Sequence, residues 1–226
     1  LARPVLMAGP RNTAHLRVSL VGRRGPAPVT RPPANVCFAI DRSGSMAGEK
    51  MVHARLGAIE ALRRLASTDI VSVVSYDDVV RVVVPATRAS DRTQIEAGIR
   101  GLQPGGSTAL FAGVVKCAAE VRKFMSKDRV NRIVLLSDGN ANVGPSSPAE
   151  LGALGARLME DGISVATVGI GEGYNEDLMA ELAIRSDGSH VFARRPEDLR
   201  QFLNDEVAAV TAVVARDVVV TIRCPE

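Results

Sequence analysis

The chain has 226 residues, of which 46% are hydrophobic and 23% charged. That balance excludes a disordered chain and leaves room for one α/β domain with a full core plus a smaller appendage. Aromatic residues make up 3% and there is no Trp, so Val, Leu, Ile and Ala must fill the core, as they do in buried parallel strands. The net charge of +3 is carried by scattered arginines without a dense basic block. With few aromatics for stacking on bases, nucleic-acid binding is not expected.

Cys37, Cys117 and Cys224 are an odd number without metal-ligand spacing, so no disulfide framework is expected. Cys37 lies in an apolar run and Cys117 in a helical pattern, which marks both as small core residues. No run of eighteen apolar residues occurs, so no membrane span is expected. The chain begins at Leu1 rather than Met and ends at Glu226, and it reads as a piece of a longer protein.

In chain order, 15–21 alternates weakly as a strand, and the Pro-rich stretches 25–28 and 31–33 resist helix and central strand alike. Val36–Ile40 is a buried strand. From Gly48 to Leu65, apolar positions 51, 54, 58, 59, 62 and 65 form one helical face. Strands at 70–75 and 79–84 are separated by Tyr76-Asp77-Asp78. That connection is too short for a parallel crossover and predicts an antiparallel hairpin. Helices follow at 93–102 and 110–125, then a strand at 132–136 and a polar loop to Ser147. Pro148 suits the first turn of a helix running to Glu160. A strand at 163–168, a helix at 176–184, a strand at 189–193 and a helix at 196–207 continue the alternation, and 216–223 closes with a strand. Alternating strands and helices predict an α/β fold with a doubly wound, mostly parallel sheet and one antiparallel edge strand. The divisions are an N-terminal β/linker segment over 1–34, the main domain over 35–212, and a C-terminal strand segment over 213–226. The two terminal strands are expected to pair in a small β appendage.

Ligands of open α/β sheets gather beyond the carboxyl ends of the strands. After the first central strand comes Asp41-Arg-Ser43-Gly-Ser45. After Leu136 come Ser137 and Asp138-Gly-Asn140. The loop Gly105-Gly-Ser107-Thr108 opens a helix. Three loops thus bring carboxylates and hydroxyls, which are hard oxygen donors, to one end of the sheet. Such donors suit Mg²⁺, and also Mn²⁺ or Ca²⁺, and do not favour zinc. Weighed alone, Thr108 is a helix N-cap candidate. Asp77 and Asp78 are ordinary turn residues.

Asp41-x-Ser43-x-Ser45, a Thr in Gly-Gly-Ser-Thr, and Ser-Asp-Gly after a central strand resemble the von Willebrand factor A domain over residues 35–210. The likeness is to bacterial members related to inter-alpha-trypsin inhibitor heavy chains and calcium-activated chloride channel-like proteins. It implies a Rossmann-like fold and a metal-ion-dependent adhesion site. Ser43, Ser45 and Thr108 would then coordinate the ion directly and Asp41 and Asp138 largely through water, with a Glu or Asp of a protein partner completing the shell. Ser137 and Asn140 would at most support those ligands. The resemblance implies an interaction domain rather than an enzyme; related bacterial proteins are often exported or membrane-anchored and some are cytoplasmic, so the compartment stays open. In some relatives the last helix, here 196–207, slides when the ion gains its sixth ligand.

Other readings stand beside this one. The domain could serve assembly of a larger membrane-associated protein, with a metal that stabilises the loops. Ser107, Asp138 and His190 occur in the chain order of an α/β-hydrolase triad. However, the serine lacks a preceding strand and His190 begins a strand rather than ending one. Gly169-Ile-Gly171-Glu-Gly173 follows a strand but has the wrong spacing for a dinucleotide loop, so it reads as a flexible turn. A phosphatase of the Asp-x-Asp type is disfavoured because position 43 is Ser.

Overall fold

The computed structural model describes residues 31–138, 141–171, 175–211 and 221. The expected strands at 15–21 and 216–223 lie outside them. Six strands form one sheet: β1 Ala34–Asp41, β2 Ile70–Tyr76, β3 Val80–Arg88, β4 Val130–Ser137, β5 Ile163–Ile170 and β6 His190–Ala193. Their spatial order is β3-β2-β1-β4-β5-β6. Only β3 runs antiparallel, paired with β2 as a hairpin, and the other four pairings are parallel. The short connection after Tyr76 dictates that hairpin, as expected.

Helices α1 Glu49–Arg64, α2 Arg92–Arg100, α3 Leu110–Arg122, α4 Pro148–Glu160, α5 Glu176–Arg185 and α6 Asp198–Thr211 fill the crossovers. β1 is buried along its whole length, and its side chains alternate between two cores. Val36, Phe38 and Ile40 join the core beneath α1, α2 and α6. Cys37 and Ala39 join the core beneath α3, α4 and α5, where Cys117 also lies. A strand clothed on both faces needs apolar residues at every position, which is why it reads as a continuous run. Cys37 and Cys117 are buried free thiols, as expected of small core residues. Pro148 opens α4 behind a capping box of Ser147 and Glu150. α6 lies on α1 where Gly57 leaves space: a Cβ there would meet Leu203 Cδ1 at 2.7 Å. Arg132 and Glu206 add a mostly buried ion pair at 2.6 Å between β4 and α6. Among the described residues, no helix is long and apolar enough to cross a membrane.

Chain order reverses between β1 and β4. From β1 the sheet grows outward through β2 and β3, and from β4 through β5 and β6. The carboxyl ends of β1 and β4 thus lie side by side at that switch point, the place where open α/β sheets bind ligands.

Candidate metal centre

Asp41 closes β1 and Ser137 closes β4, so Asp41 and Asp138 stand at the carboxyl ends of neighbouring strands. Asp41 Oδ1 accepts from the Ser43 backbone N–H at 2.8 Å, which folds the loop back on the strand end. Asp41 Oδ2 accepts from the Ser137 hydroxyl at 2.6 Å, which ties β1 to β4. The Ser43 and Ser45 hydroxyl oxygens lie 3.0 Å apart. Ser45 Oγ donates to Asp138 Oδ1 at 2.7 Å. Asp41, Ser43, Ser45 and Asp138 therefore form one continuous chain of polar contacts spanning 41 to 138.

Thr108 joins this group through the backbone. Gly44 N–H donates to Gly106 C=O at 3.0 Å and Gly105 N–H to Arg42 C=O at 2.7 Å, so the Gly-Gly-Ser-Thr loop is laced to the Asp-x-Ser-x-Ser loop. Thr108 is buried and its N–H donates to Asn142 Oδ1 at 2.8 Å. The cap reading of Thr108 does not hold. The N-cap of α3 is Ala109, without a side-chain bond. Ser43 likewise precedes a 3-10 turn, Gly44–Met46, without capping it. Hydroxyls at these two positions are thus not accounted for by helix capping.

Three residues near the site carry no sequence signal that marks them. Lys50, in the first turn of α1, donates from Nζ to Asp138 Oδ2. Arg42 donates to Asp77 Oδ2 and to the Gln103 carbonyl at 2.9 Å. Asn142 clamps Thr108 from the loop after β4. Each resembles an ordinary surface polar residue in sequence, and only the loop packing shows its partner. Asp77 goes beyond its turn role: Oδ1 accepts from Val79 N–H at 2.8 Å, and its carbonyl accepts from Ala109 N–H at 2.8 Å. The hairpin thus braces the start of α3.

Asp41 is fully buried, and its carboxyl is raised to about 6. Burial is the main cause and the Asp138 charge adds to it, while the bonds from Ser137 and Ser43 oppose the rise. Among the described residues, no Lys or Arg forms an ion pair with Asp41. An acid whose folded value is raised contributes stability at low pH and loses it as pH rises through that value. In chelator, wild type should therefore lose about 2 kcal/mol relative to Asp41→Asn between pH 4 and 7. Denaturant unfolding of both proteins across that range measures it, and parallel curves would refute it.

No group of three or more His, Cys, Asp or Glu side chains gathers as a metal cluster among the described residues. The donor set assembled here differs in kind, with three hydroxyls and two carboxylates. It can be tested against an ion's demands. Octahedral Mg²⁺ at about 2.1 Å from its ligands separates neighbouring oxygens by about 3.0 Å, and the Ser43 and Ser45 hydroxyls stand 3.0 Å apart. The Ser43 and Ser45 hydroxyls fit two neighbouring positions around such an ion.

Residues 35–205 match the von Willebrand factor type A domain. The chain belongs to this family. Its members are non-catalytic adhesion and interaction modules, which is the class that the sequence motifs imply. The chain is 30% identical over 189 residues to the uncharacterized protein YfbK of Escherichia coli (strain K12), covering 83% of this chain and 33% of that protein. It is 24% identical over 172 residues to inter-alpha-trypsin inhibitor heavy chain H3 of Homo sapiens, covering 72% of this chain and 19% of that one. The solved von Willebrand factor type A protein from Catenulispora acidiphila shares the fold with a TM-score of 0.72 and 22% identity, over 79% of this chain and 43% of that chain. The chain thus spans about a third or less of these curated relatives.

The hydrolase constellation does not assemble around Asp138, whose carboxylate is engaged by Ser45 and Lys50. His190 shares a hydrogen bond of 2.8 Å with Thr167 at the start of β6. β6 lies two strands from β4, which is about 10 Å across the sheet.

Proposed function

We propose that this domain binds a divalent cation, Mg²⁺ in the first instance, and uses it to capture an acidic side chain of a protein partner. The observation that carries the reading is the pair of hydroxyls at 3.0 Å on Ser43 and Ser45, beside a buried carboxylate that no cationic side chain neutralises. Ser43, Ser45 and Thr108 would hold the ion directly, and Asp41 and Asp138 through water. Neutral hydroxyls leave the ion with most of its charge unspent, so it supplies an open position that favours an anionic oxygen. The protein's part is to present those hydroxyls rigidly. Ser137 fixes one oxygen of Asp41, Asn142 fixes Thr108, the Arg42–Asp77 pair fixes the first loop to the hairpin turn, and Gly44 N–H to Gly106 C=O with Gly105 N–H to Arg42 C=O fixes the two loops to each other. A Glu or Asp from the partner supplies the anionic oxygen. Mn²⁺ and Ca²⁺ satisfy the same oxygen chemistry.

Calorimetric titration of Mg²⁺ into wild type, Asp41→Ala and Thr108→Ala tests the site. Binding by wild type and a loss of at least about 100-fold in each variant are expected, since each removes a ligand or its support. Equal binding by all three proteins would sink the assignment. Affinity capture with and without chelator tests the partner: retention that chelator leaves unchanged would refute metal-mediated capture.

A further inference from the structure

The carboxylate of Asp138 already has a cation. Lys50 Nζ donates to Asp138 Oδ2, while Oδ1 accepts from Ser45 at 2.7 Å. The Asp138 side chain is 0% exposed and that of Lys50 30%, so the ammonium reaches inward from the rim. It lies beside Gly171, where a Cβ would sit 3.5 Å from both Nζ and Cε. A longer side chain there would crowd the lysine. Asp41 and Asp138 are linked through Ser43 and Ser45, and Lys50 neutralises only the second.

We propose that Lys50 is an internal competitor for the metal. In the metal-free domain its ammonium occupies the Asp138 oxygen that the hydrated ion needs, and the ion binds by displacing it. This rests on the metal reading of the site given above. A divalent ion and an ammonium repel each other across one carboxylate. The flexible four-carbon stem lets the ammonium leave without strain to the backbone. Lys50 thereby keeps the empty site intact and holds its intrinsic metal affinity down, so that firm loading awaits a partner's carboxylate.

The test is Mg²⁺ titration by calorimetry of wild type, Lys50→Met and Lys50→Arg, with thermal unfolding of each in chelator. Lys50→Met should bind Mg²⁺ about tenfold or more tightly, and in chelator it should unfold at a lower temperature than wild type. Lys50→Arg keeps the charge and should stay within about threefold of wild-type affinity. Lys50→Gln carries the same expectation as Lys50→Met if the latter fails to fold. Binding by wild type that neutralising Lys50 leaves unchanged or weakens would overturn this proposal alone. Absence of binding in wild type and in Lys50→Met alike would overturn it together with the metal reading.

Discussion

Gly106→Ala should destabilise the domain by about 2–4 kcal/mol and weaken Mg²⁺ binding with it. Gly106 has φ +78°, a conformation that costs an L-residue about 1–2 kcal/mol. Space is the larger obstacle. A Cβ at this position would stand 2.1 Å from Asp78 Oδ1 and 3.0 Å from the Asp77 Cβ. Asp77 in turn holds Arg42 and the start of α3, so it cannot yield without moving both loops. The Gly106 carbonyl also receives the Gly44 N–H at 3.0 Å, which sets Ser43 and Ser45 against the Thr108 loop. Gly105→Ala is the control. A Cβ there meets nothing within 4 Å, and its N–H keeps its bond to Arg42 C=O. It should cost less than about 1 kcal/mol. Denaturant unfolding and Mg²⁺ titration of both variants decide the matter, and similar losses in the two would show that the crowding at Gly106 is not what matters.

The sheet was legible because its signals are local. Apolar runs without alternation marked β1, β2, β4 and β5 as strands covered on both faces, and the three-residue connection after the second forced the antiparallel edge. Boundaries were less legible where polar residues are buried. β1 begins at Ala34 rather than Val36, because Asn35 is hidden at the strand start, donating to the Val121 carbonyl at 2.8 Å and to Asn131 Oδ1 at 3.1 Å. The last helix runs on to Thr211, past the expected end at Val207, because Ala208, Ala209 and Val210 continue the helix without a breaker.

The candidate site divides the same way. The candidates Asp41, Ser43, Ser45 and Asp138 were legible because oxygen-bearing residues recur at the carboxyl ends of adjacent strands, and Thr108 because it sits in a Gly-Gly-Ser-Thr loop before a helix. Lys50 and Asn142 were not. Their partners stand 88 and 34 positions away, and a lysine in the first turn of a helix looks like any solvated charge. Topology, rather than composition, brings these residues to the loops of the candidate site.

The largest loss of stability is expected from Asp69→Ala, about 3–5 kcal/mol, and its surroundings contrast with those of Asp41. Asp69 lies just before β2 and its side chain is 0% exposed. It accepts from Arg31 Nη1 at 3.0 Å and Nη2 at 2.6 Å. It also accepts from the backbone N–H groups of Ala34 at 2.8 Å and Ala66 at 2.7 Å. Burial pushes its carboxyl up, but Arg31 and the two N–H groups outweigh it and hold the acid below its ordinary value. A depressed acid contributes stability above its unfolded value and loses it as pH falls through the folded one. Asp69 therefore stabilises at neutral pH and fails in acid, opposite in sign to Asp41. Removing it leaves two backbone donors and a guanidinium without their acceptor. Arg31→Ala, whose side chain is 28% exposed, should cost less, about 1–2 kcal/mol. Urea unfolding from pH 7 down to pH 2 tests both points: the Asp69→Ala deficit should persist at pH 4, above the folded value of the acid, and shrink only at lower pH, and a deficit independent of pH over the whole range would refute the ion-pair account. Both acids border β1, which runs from Ala34 to Asp41. At its amino end, Asp69 is buried with an arginine that neutralises it. At its carboxyl end, Asp41 is buried with hydroxyl and amide donors and, among the described residues, no ion-paired Lys or Arg, which is the charge imbalance that the proposed cation would match.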